Sequence, residues 1–495
     1  MEELYLGCFM ILREADLMSS TKGDQAEVGR RFTPHKIKFD IFKFKALEEL
    51  EIDKAIYEHT EVKLKGVIDE ANVADYDRYL AKQEPKLVIN YGEKGNKILF
   101  KGIITDYKFV YKKYDYYLTL KAVSYSILLK QIRRNRIFQN LGTTYNEVFD
   151  KLMQDNPKFH LAFADDAMGE TPLVSKEYPL VLQYKETDWD FLKRITSYLN
   201  KILIVDDMKD IQEGVNILVG AHPGAPKELN NVSGGKAKKT GRKNNKFDYY
   251  KIYGHENHRS EDIFDIGKKI NYKVNNQTKK KLELIILKNR IYLQDSILCS
   301  DLTLAKQEAI NLLKEKRKVP IEGRSFRAKV KKLNKDHTAK VKFIDITNKY
   351  IGFKAFNFPI DRLYTEAYFA PEIGDIVDIY FKGKNEKYAT LKSSSTDNQK
   401  RNRQLPEDKE IITPNGYRIK MNNESLLISG KDEKSLMEIK EELIKVISTK
   451  GTIEMTPDLI NMKRKDGAVL MDDAKTEVEF GGKKMKVNNS GIDMS

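Results

Sequence analysis

The chain has 495 residues, 40% of them hydrophobic and 33% charged, with a formal net charge of +15. That is about three domains' worth of soluble protein, and no apolar run is long enough to span a bilayer. Only Cys8 and Cys299 are present, without metal-ligand or redox spacing, which argues for reduced thiols rather than a disulfide scaffold or a cysteine-based site. The apolar run Leu4 to Leu12 follows Glu2 and Glu3 and lacks the positive start and cleavage site of a signal peptide. Export by the general secretory route is therefore not expected. The positive charge reads as a Lys-rich surface, because no DNA- or RNA-binding motif accompanies it. The densest basic run, Lys236 to Lys246, follows Ser233-Gly234-Gly235 and reads as a flexible loop.

In chain order, Lys36 to Lys45 alternates with a one-residue slip, the pattern of a β-bulge near Ile41-Phe42. Leu47 to Asp69 gives two β segments around a short connection, with Val62, Leu64, Gly66 and Ile68 on one face. Ile98 to Val110 and Tyr116 to Val123 continue the set, and strands at such short spacing predict a closed or nearly closed barrel. Thr143 or Thr144 caps a helix running through Leu152. In Tyr178 to Asp206, Leu180, Leu182 and Tyr184 alternate as a strand. Thr187 or Asp188 then caps a helix carrying Phe191, Ile195 and Leu199 on one face, and Lys201 to Asp206 returns as a strand. Glu186 and Asp188 could be an acid pair of an active site, but carboxylates stabilising a helix N-terminus are the favoured reading. His255-x-x-His258, with Glu256, Glu261 and Asp262, has no further ligand in a settled geometry and reads as a polar loop. No metal, cofactor or catalytic residue is expected. A helix is predicted over Leu302 to Glu315, flanked by strands in Lys281 to Tyr292 and Pro320 to Ala328 that close this region.

Gln183, Tyr184, Glu186, Thr187, Asp188, Phe191 and Arg194 fit the pattern QY-x-E-[ST]-D-x-x-F-x-x-R. Together with His59 before its alternating strand, Leu99 to Ile104, Ala122 to Leu129 and Phe138-Gln139-Asn140, this region resembles the N-terminal hub of VgrG and phage late control proteins. Those are hub-and-spike proteins of contractile injection machines.

Phe326 to Ile344 reads as a hairpin around Asn334-Lys335-Asp336-His337, and Tyr350 to Pro359 adds a strand. Pro371, Glu372 and Gly374 make a turn before the strand Ile376 to Phe381. Gly383-Lys384-Asn385 then turns into a short closing strand, Lys387 to Leu391. This segment is similar to the end of the oligonucleotide/oligosaccharide-binding-type (OB) barrel of the same family, with Phe356 or Phe358 where the family has Trp. Phe353, Phe356, Phe358, Tyr364 and Tyr368 on a basic chain also motivate the alternative function, a single-stranded nucleic-acid-binding OB protein.

Ser393 to Lys409 is a polar linker. From Ile411 a pattern of apolar-x-apolar and then a turn repeats: Ile419/Met421, Leu426/Ile428, Met437/Ile439, Ile444/Val446, Ile453/Met455, Ile460/Met462, Val478/Phe480, Met485/Val487 and Ile492/Met494. The phase blurs around Val469-Leu470-Met471. Ser435 to Ser448 also suits a helix, though strands keep the repeat running. Short strands at a small fixed period predict a β-solenoid. One chain cannot surround a core with so thin a stripe, whereas three chains wound together can, each giving one wall of a triangular prism. Ile453, Met455, Ile460, Met462, Val478, Phe480, Met485, Val487, Ile492 and Met494 form the expected interior. No His occurs from Ile411 onward, which argues against a polysaccharide hydrolase built on the repeat.

The predicted fold is mainly β with minor α. Residues 1–322 form a hub of two barrel-like domains, 323–394 an OB-type barrel, 395–410 a linker and 411–495 an intertwined trimeric β-helix. The resemblance implies a homotrimeric, non-enzymatic hub and membrane-puncturing spike driven by sheath contraction. Its implied partners are a PAAR-like tip protein docked at Gly491, Ile492, Asp493, Met494 and Ser495, an Hcp-like tail-tube ring, baseplate proteins and cargo. It would assemble in the bacterial cytoplasm and leave with the particle.

Overall fold

The computed structural model describes residues 37–92, 95–175, 179–208, 214–229, 232–242, 245–256, 263–273, 281–311, 321–348, 351–361, 371–395, 409–413 and 415–495. The chain divides into two compact units, Met1–Thr396 and Asp397–Ser495. Among the described residues no helix is long and apolar enough to cross a membrane.

The first unit is built on a 12-stranded sheet. Its first part pairs Lys86–Tyr91, Lys97–Lys112, Asp115–Ser124, Glu61–Ile68 and Phe44–Ala55 in that spatial order. Phe44–Ala55 then pairs with Lys281–Gln294, Ile52 opposite Ile291, and this single seam joins strands more than 200 residues apart. Beyond it lie Ile297–Ala305, Asn245–Glu256 and Val232–Arg242. Strict alternation drives each strand. Val62, Leu64 and Ile68 point into a core with Leu118, Leu120 and Phe100, while Lys63 and Lys65 point out.

Several expectations are corrected here. The slip near Ile41-Phe42 is not a bulge: Lys38–Phe39 pairs with Lys86–Tyr91, and a new strand begins at Phe44 on a different neighbour. Lys236 to Lys246 lies largely within a hairpin, Val232–Arg242 against Asn245–Glu256, because the latter continues the ladder of Ile297–Ala305. The helix expected from Leu302 begins only at Gln307. Leu302 and Leu304 alternate inward from strand Ile297–Ala305, and residues 312–315 lie outside the described set. The helix Val73–Leu80 was not predicted.

The strand expected at Pro320 to Ala328 does not close the hub. It begins at Ser325 and belongs to a five-stranded sheet, Phe358–Pro359, Thr338–Phe343, Ser325–Leu333, Ile376–Phe381 and Ala389–Ser395. A parallel bridge between Ile360 and Leu391 brings the last strand back to the first, so the sheet is a nearly closed small barrel. The expected strand Tyr350 to Pro359 shrinks to its last two residues. Phe358 fills the barrel core, with Phe356 edge-on to it at 4.7 Å. The barrel shares that core with Ile137, Leu180 and Leu182 of the hub.

The second unit is one 11-stranded sheet from Lys409–Ile412 to Gly491–Met494, every strand antiparallel to the next in sequence. Ser435 to Ser448 is two strands, Leu436–Lys440 and Leu443–Ser448, as preferred. From Leu443 the strands begin at 443, 451, 459, 467, 475, 483 and 491, a repeat of eight. Two-residue turns join them. At Gly481-Gly482 both φ angles are positive, +57° and +79°, the backbone a tight hairpin of the type I′ kind needs. The rungs are thus successive hairpins of one chain, and their ladder bonds run within it.

Candidate functional site

The residues of the family-like pattern meet in a buried clasp. Thr187 caps the helix Asp188–Tyr198, its Oγ1 accepting from Asp190 N at 3.1 Å. Asp188, almost fully buried, accepts from Arg136 Nη1 at 2.5 Å, Gln183 Nε2 at 2.9 Å, Asn156 Nδ2 at 2.9 Å and Arg134 Nε at 3.1 Å. Burial pushes the Asp188 carboxyl up, but the bonds from Arg136 and Gln183 outweigh it and hold the group below its ordinary value. One turn and a half further on, Arg194 grips Glu186 through Nε at 3.1 Å and Nη2 at 2.8 Å. It also donates to Leu182 O at 2.7 Å and Tyr198 Oη at 2.8 Å. Its Nη1 reaches Glu386 of the small barrel at 3.5 Å. Tyr184 packs edge-on against Phe326 of the same barrel, ring centroids 5.1 Å apart. Glu186 and Asp188 are therefore more than helix-end charges. Asp188 is paired with Arg134 and Arg136 and Glu186 with Arg194, and Arg194 ties hub to barrel.

His59, the residue before the alternating strand, packs tilted against the fully buried Trp189, ring centroids 4.3 Å apart, and its Nδ1 lies 2.7 Å from Ser126 Oγ. Burial, then Lys130 and Lys193, lower its pKa to about 4, with Asp190 opposing. The unfolded chain binds this proton near pH 6.5. The stabilising difference is therefore complete above that value and is lost as pH falls through 6.5 to about 4. Urea midpoints between pH 7 and 4 will fall more steeply for the native chain than for His59→Gln, the gap corresponding to about 3 kcal/mol at the acid end. Equal slopes would remove His59 as the cause.

The second unit carries the other feature. An even repeat keeps alternate residues on one face in every strand. Registers place Ile411, Ile419, Ile428, Met437, Val446, Ile453, Met462, Val469, Val478, Met485 and Met494 in one unbroken column. Beside it run Met421, Leu426, Ile439, Ile444, Met455, Ile460, Met471, Thr476, Val487 and Ile492. The opposite face alternates charge: Glu438, Lys445 and Glu454 in successive strands, then Glu477, Lys486 and Asp493. None of the four hydrophobic clusters among the described residues draws on this unit. Its apolar face is open, with Phe480 74%, Ile492 67% and Met494 75% exposed.

Nine of the ten expected interior residues fall in these two columns. Phe480 shares their face but sits one position outward, its ring opposite Gly467, where a Cβ would lie 3.0 Å from Phe480 Cδ2. Thr476 holds the place it was expected to take. Val469 and Met471, left out of phase by the sequence, are in register. Gly491 to Met494 form the edge strand, with Ser495 bonded to Lys484 at 2.8 and 2.9 Å. His255 is buried against Phe264, and His258 lies outside the described residues. Of the aromatics considered for a nucleic-acid face, Phe358 is core, Phe353 is exposed, and Tyr364 and Tyr368 lie outside the described residues.

Residues 59–198, which contain both His59 and the Arg194 clasp, match the family described as phage tail baseplate hub (GPD). This part of the chain is thus similar to tail baseplate hubs. A component of the E. coli type VI secretion system, c3393, itself described as structurally similar to the T4 bacteriophage tail proteins gp27 and gp5, superposes with TM-score 0.50 at 14% identity, over 73% of this chain and 100% of that one. A chain of the Francisella PdpA–VgrG complex gives TM-score 0.54 at 10% identity, over 87% and 80%. At these identities the likeness is one of fold. No curated protein matches by sequence. Hub match and fold together make this chain similar to VgrG and to the phage GPD hubs.

Proposed function

We propose that the chain is the structural hub and central membrane-puncturing spike of a bacterial contractile injection apparatus, of the type VI secretion or phage-tail kind. It acts as a homotrimer, driven into the target by sheath contraction. The observation that carries this reading is the unbroken apolar column on an open sheet face. A single layer cannot bury such a face, whereas three copies turned inward enclose it as a prism and leave the alternating charges outside. Strands about 4.8 Å apart give eleven rungs a length of roughly 48 Å, enough to cross a bilayer core of about 30 Å.

The function is mechanical and needs no catalytic group or cofactor. The hub unit would seat on an Hcp-like tube ring and baseplate. The edge strand Gly491–Met494 would take a PAAR-like tip, since Ile492 and Met494 stand exposed beside an unpaired edge. Cargo would ride on the same assembly. The Francisella comparison, a VgrG seen with PdpA, supports a protein partner. The protein would assemble in the bacterial cytoplasm and leave with the particle.

The test is the mass in solution by light scattering of the full chain and of a chain ending at Thr396. The full chain is expected to be a trimer, and the shortened one to weaken or dissociate. A full-length monomer at micromolar concentration would remove the spike. Retention on single-stranded DNA that falls steeply with salt would instead favour the nucleic-acid alternative.

A further inference from the structure

Away from the clasp, three segments of the hub unit bring three metal-binding side chains together. Asp206 ends the strand Leu203–Asp206, His222 follows the strand Val215–Val219, and Asp265 opens the turn at 265–268. One donor atom from each lies within 4.8 Å of the others. Asp206 and Asp265 are buried and His222 is half-buried.

The backbone is built to hold them there. Asp206 and Asn216 are cross-strand partners, and Asn216 Nδ2 donates to Asp206 Oδ2 at 3.2 Å. His222 N donates to Gly267 O at 3.0 Å, and Gly267 N to Ile286 O at 2.7 Å. Gly267 has φ +77°, and a Cβ there would fall 2.1 Å from Ile204 Cδ1. Only glycine lets this turn close against the strand that ends in Asp206 and against His222.

Charge adds a second, independent observation. Asp207 and Asp265 share one ammonium, Lys54, which contacts Asp207 closely and Asp265 at 3.3 Å. With Asp206 that makes three buried carboxylates for one lysine. Asp207 Oδ2 is buried without a hydrogen-bond partner. Buried carboxylates in excess of their counter-charges are costly, and a dication at the cluster removes the excess. Two carboxylates and an imidazole are a donor set suited to borderline first-row divalent ions rather than to Mg²⁺ or Ca²⁺, which prefer all-oxygen shells.

We propose that Asp206, His222 and Asp265 bind a divalent first-row transition-metal ion, Zn²⁺ foremost, as a structural site that pins the 265–268 turn to the hub sheet. The sequence gives no spacing cue to it, because the ligands are 16 and 43 residues apart (206 to 222, 222 to 265).

The experiment uses the full chain, stripped with chelator, desalted and exposed to micromolar Zn²⁺ or, in parallel, Mg²⁺. Elemental analysis after gel filtration is expected to find about one zinc per chain and no retained magnesium, with a melting temperature raised by zinc alone. His222→Gln is expected to bind zinc about tenfold or more weaker, with its chelator-treated melt unchanged. Asp206→Asn should weaken binding as well. The proposal is overturned if the native chain retains no zinc, which leaves a salt-bridged imidazole. It is equally overturned if both variants retain zinc as the native chain does, which puts the ion elsewhere.

Discussion

Replacing Arg194 with Met will lower the stability of the first unit by about 3–5 kcal/mol, the usual consequence of stranding a buried carboxylate. Arg194 is 1% exposed and makes a two-pronged bond to Glu186 while reaching Glu386. Methionine fills its volume but leaves Glu186 facing an apolar wall and deprives Leu182 O and Tyr198 of their donor. Burial already raises the Glu186 pKa, with Arg194 the main opposing influence. Without the guanidinium that carboxyl will take up a proton well above its ordinary range. Arg194→Lys keeps the charge and loses the fork, so it should fall between the two. Glu186→Gln added to Arg194→Met should recover part of the loss. Because Glu386 belongs to the small barrel, a double-mutant cycle between positions 194 and 386 measures hub-to-barrel coupling directly. The readout is the urea midpoint of the first unit. A shift under about 1 kcal/mol for Arg194→Met would mean that the clasp is ornamental.

The clasp illustrates what was legible in the sequence. The helix start at Thr187 or Asp188 and its apolar face follow from local spacing, and both are present, with Thr187 the cap. That Asp188 is held by Arg134 and Arg136 follows from pairing between Arg133–Phe138 and Val181–Thr187, which no spacing reveals. Leu302 to Glu315 was misjudged for a related reason. Leu302, Ala305, Ala309 and Leu312 have a helical period, but Leu302 and Leu304 also alternate, and pairing with Lys281–Gln294 decides for strand up to Ala305.

In the repeat the deciding signal was present. The apolar pairs are not evenly spaced: Ile444 to Ile453 is nine residues, Ile453 to Ile460 seven, Ile460 to Val469 nine, Val469 to Thr476 seven, Thr476 to Met485 nine and Met485 to Ile492 seven. A parallel solenoid would repeat at a constant interval. Reflection through a hairpin turn makes the interval alternate about eight, which is the mark of an antiparallel meander. Thr476, as a polar member of a column, hid that rhythm and moved the pair to Val478/Phe480.

Neighbouring residues Met462 and Lys463 give the sharpest test of which face is interior, because they lie on opposite sides of the same strand, Leu459–Arg464. Met462 stands in the unbroken apolar column, opposite Ile453 and Val469; Lys463 stands opposite Thr452 and Ala468 on the other face. In a trimer closed on the apolar columns, Met462→Asp places a carboxylate from each copy near one axis, away from water and from any cation. Each such charge costs about 3–5 kcal/mol, and the copies repel one another besides. Light scattering at micromolar concentration should then find monomer where the native chain is expected to be a trimer. Lys463→Asp changes charge by more yet stays in solvent, so it should remain trimeric with stability altered by no more than about 0.5 kcal/mol. Lowering the pH toward the carboxyl's raised pKa should bring Met462→Asp back toward trimer, since a neutral acid loses most of the burial penalty. If Met462→Asp stays trimeric at neutral pH while Lys463→Asp dissociates, the charged face is the interior and the proposed prism is inside out. If both dissociate alike, the sheet is held by its edges rather than by either face.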